Sequence, residues 1–187
     1  MQRIAFLALI LLGCAGAQPT PHTPTPVTEE RIPLGAFTMA KPPAWVTKPT
    51  SSTMRVTSFT MPGAAGEAEL VVYYFGEGGA GSADANIERW FGQITQPDGR
   101  PTRDVATIEH SHVAGQEMTL ISVSGHYRAE AMPGSDEMVD KPDQALLAAI
   151  VMSPRGPYFF KLLGPKATVD AQAATFRAAL MSLQLAR

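Results

Sequence analysis

The segment Glu69–Phe75 (ELVVYYF) constrains the fold of this chain most. Its residues are β-branched or aromatic almost throughout, and such residues favour strands. A continuous apolar run of this length is typical of a strand that is covered on both faces. The sequence therefore predicts a central strand here, with neighbouring strands on its edges and packed layers above and below it.

Further strands are predicted from alternation, from apolar runs and from the turns between them. Two pairs are expected to be hairpins, one turning at Ala114–Glu117 and one at Ser153–Pro157, the latter from the middle of the sheet. Trp45, after a proline pair, is expected to plug one end of the core. The predicted strands are Phe37–Met39, Met54–Met61, Val105–Val113, Met118–Tyr127, Ala145–Met152 and Tyr158–Leu163.

Two amphipathic helices are predicted from apolar stripes at helical spacing. Ser82 or Asp84 is the expected N-cap of the first, and Thr168 that of the second, where Asp170 would favour the positive end of the helix dipole. The stripes are Ile87, Trp90, Phe91 and Ile94 in the first helix, and Val169, Ala173, Phe176, Leu180 and Leu183 in the second. The order of elements predicts an α+β domain, an antiparallel sheet with helices packed against it.

The N-terminus predicts export. Arg3 gives a short positive start, and the apolar run Ile4–Leu12 is shorter than the roughly 20 residues that a membrane-spanning helix needs. Leu11–Cys14 (LLGC) then resembles the lipobox of bacterial lipoproteins. The resemblance implies that the Cys14 thiol receives diacylglycerol, that the chain is cut before Cys14, and that the new amine is acylated. The alternative is an A-x-A site at Ala15–Ala17, which would release a soluble chain.

These features divide the chain into a signal peptide over residues 1–13, a Pro/Thr-rich tether over 14–31 and one domain over 32–187. The predicted location is the bacterial cell envelope, anchored to membrane lipid through Cys14. Ala15 after the cysteine resembles the outer-membrane sorting pattern of enteric bacteria, which implies an anchor in the outer membrane, facing the periplasm. Cys14 is the single cysteine, so no intrachain disulfide is possible. The charge is −2 without a basic cluster, which argues against a nucleic-acid partner.

The order of elements resembles a known family. Opening strands, the proline–tryptophan stretch Pro42–Trp45, a helix after the third strand, a hairpin turning at Gly115, a second hairpin and a closing helix are similar to the PsbP-like and DcrB-like domains. The resemblance covers Ile32–Leu185. It implies a non-enzymatic binding or assembly module, and it carries no site residues over to this chain. No cofactor is predicted from the sequence.

Four patterns could carry chemistry. Gly76–Gly81 fits G-x-G-x-x-G between a strand and a helix, but Glu77 and the hairpin order favour a flexible turn over a dinucleotide site. His110 and His112 share one face of a predicted strand and could bind zinc or another transition metal with a third ligand such as His126. Residues 128–144 are expected to form a long mobile loop. Its carboxylates could bind calcium, although an acidic loop is more often simply solvated: Glu130, Asp136, Glu137, Asp140 and Asp143.

No nucleophile can be nominated from the sequence, because it has no G-x-S-x-G and its cysteine lies in the leader. The aromatic residues of the predicted strands are expected to form core and sheet surface rather than a ligand cage. The leading functional hypothesis is a non-enzymatic, lipid-anchored envelope protein that binds a protein partner or helps to assemble a complex. The alternatives are a periplasmic module that binds a small ligand or a metal through His110 and His112, and, less favoured, a hydrolase or nucleotide-dependent enzyme.

Overall fold

The computed structural model describes residues 30–79, 81–130 and 134–186. The predicted signal, Cys14, the rival site Ala15–Ala17 and nearly all of the predicted tether lie outside the described residues. The first strand begins at Arg31, one residue before the predicted start of the domain. None of the helices in the described part of the chain is both long and apolar enough to cross a membrane.

The described residues form eleven strands and three helices. The helices are α1 (Ala83–Phe91), α2 (Thr102–Val105) and α3 (Lys166–Met181). The strands are β1 (Arg31–Pro33), β2 (Phe37–Ala40), β3 (Val46–Lys48), β4 (Arg55–Met61), β5 (Ala68–Tyr74), β6 (Ile94–Thr95), β7 (Thr107–Val113), β8 (Gln116–Glu130), β9 (Met138–Val151), β10 (Tyr158–Pro165) and β11 (Gln184–Leu185).

One antiparallel sheet dominates the domain, with the strand order β3-β4-β5-β10-β9-β8-β6 and with β7 also paired to β8. The predicted interior position of β5 is confirmed, because β4 and β10 flank it in antiparallel register. The predicted hairpin from the middle of the sheet is also confirmed as β9 and β10. A second, three-stranded sheet has the order β1-β2-β11.

Each face of the large sheet carries its own apolar core. On one face, Phe160 and Leu162 pack with α3 residues such as Phe176 and with the small sheet. On the other face, Phe159 packs with α1 residues such as Trp90. Side chains alternate along a strand, so β10 contributes to both cores. The α+β architecture predicted from the order of elements is therefore the observed one.

The first predicted helix is confirmed as far as Phe91, whereas Ile94 of its predicted stripe lies in β6. The buried position of Trp45 is also confirmed. Ser82 is the N-cap of α1, and its Oγ accepts a hydrogen bond from the Ala85 amide at 3.1 Å. Trp45 is 1% exposed, and its indole N–H donates to Gln172 Oε1 of α3 at 3.2 Å. The β7–β8 hairpin turns through Ala114 and Gly115, with φ of 52° and 75°, as a two-residue hairpin requires.

The predicted strand start at Val105 is wrong, because Val105 ends α2 and β7 begins at Thr107. The predicted N-cap at Thr168 is also wrong. Helix α3 begins at Lys166, directly after Pro165, because Lys166 and Ala167 are good helix formers and extend the helix before Thr168.

Thr168 instead joins the first turn of α3 to the β4–β5 connection. Its hydroxyl donates to the Gly66 carbonyl at 2.8 Å, and the residue is 2% exposed. A Cβ at Gly63 would lie 2.2 Å from Thr168 Oγ1, so only glycine permits this approach. Asp170 lies beyond the first helical turn, where it pairs with Lys166.

The predicted mobile loop over residues 128–144 is wrong. Strands β8 and β9 continue through most of it as a paired ribbon, with Arg128 opposite Asp140 and Glu130 opposite Met138. Pro142 is accommodated because the register shifts beside it, between Gly125 and Tyr127, and a bulge tolerates a residue without an N–H.

Candidate functional site

A groove of about 1130 Å³ opens on the face of the large sheet that carries α1. One wall is the C-terminal half of α1 with the turn that follows it, including Gly92 and Gln93. The opposite wall is the segment 49–55 that leads into β4. The floor is formed by β5, β10 and the outer part of β8. The groove therefore depends on residues from five separate parts of the chain.

Aromatic side chains form one end and the floor of the groove. Tyr73 and Phe75, which follow each other on one face of β5, stack in parallel with their ring centroids 5.8 Å apart. Trp90 and Phe159 lie deeper and meet edge to face at 6.1 Å. The first pair is only partly buried, so its apolar surface is open to a ligand.

The charged lining of the groove is mostly positive. Arg55, Arg89, Arg128 and Lys161 line it, whereas Glu130 is the one carboxylate among the described lining residues. The Glu130 carboxylate already has a hydrogen-bond partner, because its Oε2 accepts a hydrogen bond from the Gly134 amide at 2.7 Å. A concave surface with this charge attracts anions, since low-dielectric walls concentrate the field.

Lys161 is the most buried of these cations. It lies on β10 between Ala148 of β9 and Val71 of β5, on the face toward α1. Its Nζ donates to Gln93 Oε1 at 2.6 Å and lies 5.7 Å from the centroid of the Tyr127 ring. Burial, and to a smaller extent the nearby Arg89 guanidinium, lowers the pKa of Lys161 to about 8.

Two tyrosines beside the lysine remain protonated. Burial raises the pKa of Tyr73, an effect that the nearby Arg55 partly offsets, and burial also raises the pKa of Tyr127. The Arg55 guanidinium lies 5.7 Å from the centroid of the Tyr73 ring. At neutral pH the groove therefore presents cations and neutral phenols, which suits the binding of an anion that also carries an apolar group.

The histidines of the metal hypothesis lie elsewhere. His110 and His112 are exposed on β7, as the predicted spacing on one strand face requires. His110 Nδ1 is 3.2 Å from Thr119 Oγ1, whereas His126 lies on β8 and contacts Asp140. Within residues 30–79, 81–130 and 134–186, no three His, Cys, Asp or Glu side chains gather into a metal-binding group. Zinc binding by His110 and His112 remains a prediction.

The structure also shows where the glycine-rich segment Gly76–Gly81 and the proposed calcium ligands lie. Gly76–Gly81 follows β5 and precedes α1, but β5 is flanked by antiparallel strands, so the βαβ setting of a dinucleotide site does not occur here. Gly76 and Gly78 have φ of 82° and 70°, which fits the interpretation as a glycine-rich turn; Ala80 lies outside the described residues. The proposed calcium ligands are spread along the β8–β9 ribbon, and the described ones form no group of three.

Sequence reasoning missed the groove and Lys161. The sequence marks this site only by a single lysine inside the apolar run of β10 (YFFKLL), a strand whose pattern predicts a place in the middle of the sheet. A charge at such a position is unusual unless it is paired or functional. Tyr73, Phe75 and Phe159, expected to be core and sheet surface, also line the groove.

Comparisons with known proteins bear on the fold. No protein-family model matches the chain, and no curated protein matches it. The solution structure of cyanobacterial PsbP (CyanoP) from Synechocystis superimposes with a TM-score of 0.50 over 93% of this chain and 100% of that one. The domain has a PsbP-like fold.

The two sequences are 12% identical, so the likeness extends to the fold alone. A protein of unknown function from Pseudomonas aeruginosa, PA94, is 15% identical and superimposes with a TM-score of 0.47 over 85% of this chain and 97% of that one. The superposition on CyanoP confirms the PsbP-like architecture predicted from the order of elements.

Proposed function

We propose that this protein is a lipid-anchored component of the bacterial cell envelope and that its PsbP-like domain is a non-enzymatic binding module. The groove beside α1 binds an acidic segment of a partner protein. The observation that carries this proposal is the lining of the groove, where four cations face a single carboxylate that is already hydrogen-bonded. Such a surface is complementary to negative charge.

The size of the groove supports a segment of protein as the ligand. Its volume of about 1130 Å³ lies just above the roughly 300–1,000 Å³ that is typical of small-molecule pockets, so the groove has room for a short peptide segment. The partly exposed Tyr73 and Phe75 offer apolar contact next to the charges, as the anchoring pockets of protein interfaces do. An extended chain with acidic and apolar side chains would use both features.

The point where the tether enters supports an accessible groove. Arg31 in β1 donates to the Thr38 carbonyl at 3.1 Å and to the Ser182 carbonyl at 2.8 Å. These contacts fix the start of the domain on the α3 face, opposite the groove. In the proposed anchored form, residues 15–30 would allow up to about 50 Å between Cys14 and the domain if they are extended as polyproline II.

The anchor is tested by the intact mass of the mature protein. We expect a chain that begins at Cys14 and carries a diacylglycerol group and an N-acyl chain, because Leu11–Cys14 is similar to the lipobox. Replacement by Cys14→Ser should abolish the lipid mass and release the protein from the membrane fraction. An unmodified chain that begins at Gln18 would show instead that cleavage follows Ala17.

The groove is tested by photo-crosslinking in cells. We expect p-benzoylphenylalanine at position 92 to form a discrete adduct with one envelope protein, and the crosslinked site in that protein to lie in an acidic stretch. Gly92 has φ of −63°, and a Cβ there would meet no atom closer than 3.6 Å, so the site accepts a side chain.

The matched control places the same amino acid at position 174, where Ala174 is exposed on α3 on the opposite face of the sheet. This position should not give the adduct. Equal adducts from both positions, or a crosslinked site outside any acidic stretch, would contradict the proposed binding surface.

A further inference from the structure

We infer that Lys161 receives a carboxylate of the bound segment and that the stacked pair Tyr73 and Phe75 contacts a neighbouring apolar side chain of that segment. The ligand class is therefore a peptide segment in which an aspartate or glutamate stands next to an aromatic or aliphatic residue. This inference rests on the proposed function. It identifies Lys161, Tyr73 and Phe75 as the residues that select the bound segment.

Lys161 is the cation of the groove with the greatest need for a counter-ion. Among the described residues its hydrogen-bond partner is the neutral Gln93 carboxamide, so two of its three donors remain for a ligand. Arg55 has Glu69 at 4.0 Å, and Arg89 Nη2 donates to Asn86 Oδ1. A largely buried ammonium that faces an amide is stabilised when an anion binds against it.

The stacked pair Tyr73 and Phe75 lies next to the position proposed for the ligand carboxylate on Lys161. Tyr73 is opposite Phe159 in the β5–β10 register, and Phe159 and Lys161 are two residues apart on the same strand face. The stacked rings therefore lie beside the ammonium on one surface. A ligand that places a carboxylate on Lys161 brings an adjacent side chain onto Tyr73 and Phe75.

Charge on Lys161 also makes the binding depend on pH. The groups that face it are Arg89 from α1, Tyr73 from β5 and Tyr127 from β8. The arginine stays charged and both phenols stay neutral near pH 8, because their pKa values are raised. Lys161, with a pKa of about 8, is the group of this set that loses charge as the pH rises from 7 to 9.5.

The test compares two peptides with the full chain in detergent, Ac-Gly-Phe-Asp-Phe-Gly-NH2 and the same peptide with asparagine in place of aspartate. We expect the aspartate peptide to bind at least about tenfold more tightly at pH 7, because charge-assisted hydrogen bonds are stronger than neutral ones. This preference should shrink as the pH is raised to about 9.5. Lys161→Met should remove the preference, and Lys166→Met, on the opposite face, should keep it.

Equal binding of the two peptides, or no binding of either at millimolar concentration, would overturn the inference. A preference that survives in Lys161→Met would overturn it as well. If dihexanoyl phosphatidylglycerol below its micellar concentration bound in a Lys161-dependent manner and displaced the aspartate peptide, the site would belong to a lipid headgroup instead. A crosslink from position 92 that persists in Lys161→Met would leave the proposed function standing while it rejects the role of Lys161.

Discussion

Replacing Phe160 with alanine should lower the free energy of unfolding by about 3–5 kcal/mol. Phe160 has no exposed surface and lies on β10, between Val72 of β5 and Ala149 of β9. Its ring packs in the core between the sheet and α3, which includes Phe176. Because the ring is held from all sides by regular structure, the surroundings can collapse only partly into the space that the substitution leaves.

Chemical denaturation monitored by circular dichroism measures this loss. The matched control is Met181→Ala, which also truncates a large apolar side chain but at a position that is 58% exposed at the end of α3. We expect the control to change the free energy of unfolding by less than about 0.5 kcal/mol. A loss below about 1 kcal/mol for Phe160→Ala would mean that the sheet and α3 do not share a tightly packed core.

Replacing Lys161 with methionine should raise the free energy of unfolding by up to about 3 kcal/mol at pH 7. The pKa of Lys161 is about 8 in the folded domain, against 10.5 for a free lysine, because the charged form is desolvated. Below pH 8 the folded state must carry this charge at an unfavourable site. Methionine has a similar length and no charge to bury, and it leaves Gln93 able to turn toward solvent.

The sign of the pH dependence follows from proton binding. Between about pH 8 and 10.5 the unfolded chain binds a proton at Lys161 that the folded chain does not. The free energy of unfolding of the wild-type domain therefore rises with pH in that range. The advantage of Lys161→Met should therefore be full below pH 8 and vanish above 10.5. Urea melts at several pH values give the comparison.

The control for this effect is Lys166→Met. Lys166 lies in the first turn of α3 and pairs with Asp170, and such solvent-exposed pairs contribute little to stability. We expect a small loss and no gain at any pH. A destabilised Lys161→Met variant at pH 7 would show that the lysine is not held at an unfavourable site in the free domain.

Lys161 is expected to destabilise the free domain and to stabilise the complex with the bound segment. A residue that destabilises the free domain and strengthens the bound state is typical of a binding site, because selection for function tolerates a local loss of stability. Lys161→Met is therefore expected to be more stable and to have lost the preference for the aspartate peptide. Higher stability without loss of that preference would separate the two effects.

The amino-acid sequence by itself determined the elements whose signals are local. The run at Glu69–Phe75 specified an interior strand, the stripe after Ser82 specified α1, and two apolar segments around Ser153–Pro157 specified the β9–β10 hairpin. Periodicity and capping act within a few residues, so they can be recognised without knowledge of the rest of the chain.

Only the tertiary structure decided where distant residues meet. It extended β8 and β9 through Pro142, because the proline lies in a bulge of β9, where its missing N–H is not needed for pairing. Thr168, which the sequence predicts as an N-cap, instead donates a hydrogen bond to the Gly66 carbonyl. Above all the tertiary structure placed Lys161 beneath Gln93 and beside Tyr127, residues 68 and 34 positions away in the chain. Desolvation and the charge of neighbours set the properties of such a site, and both depend on packing between strands that the linear sequence does not reveal.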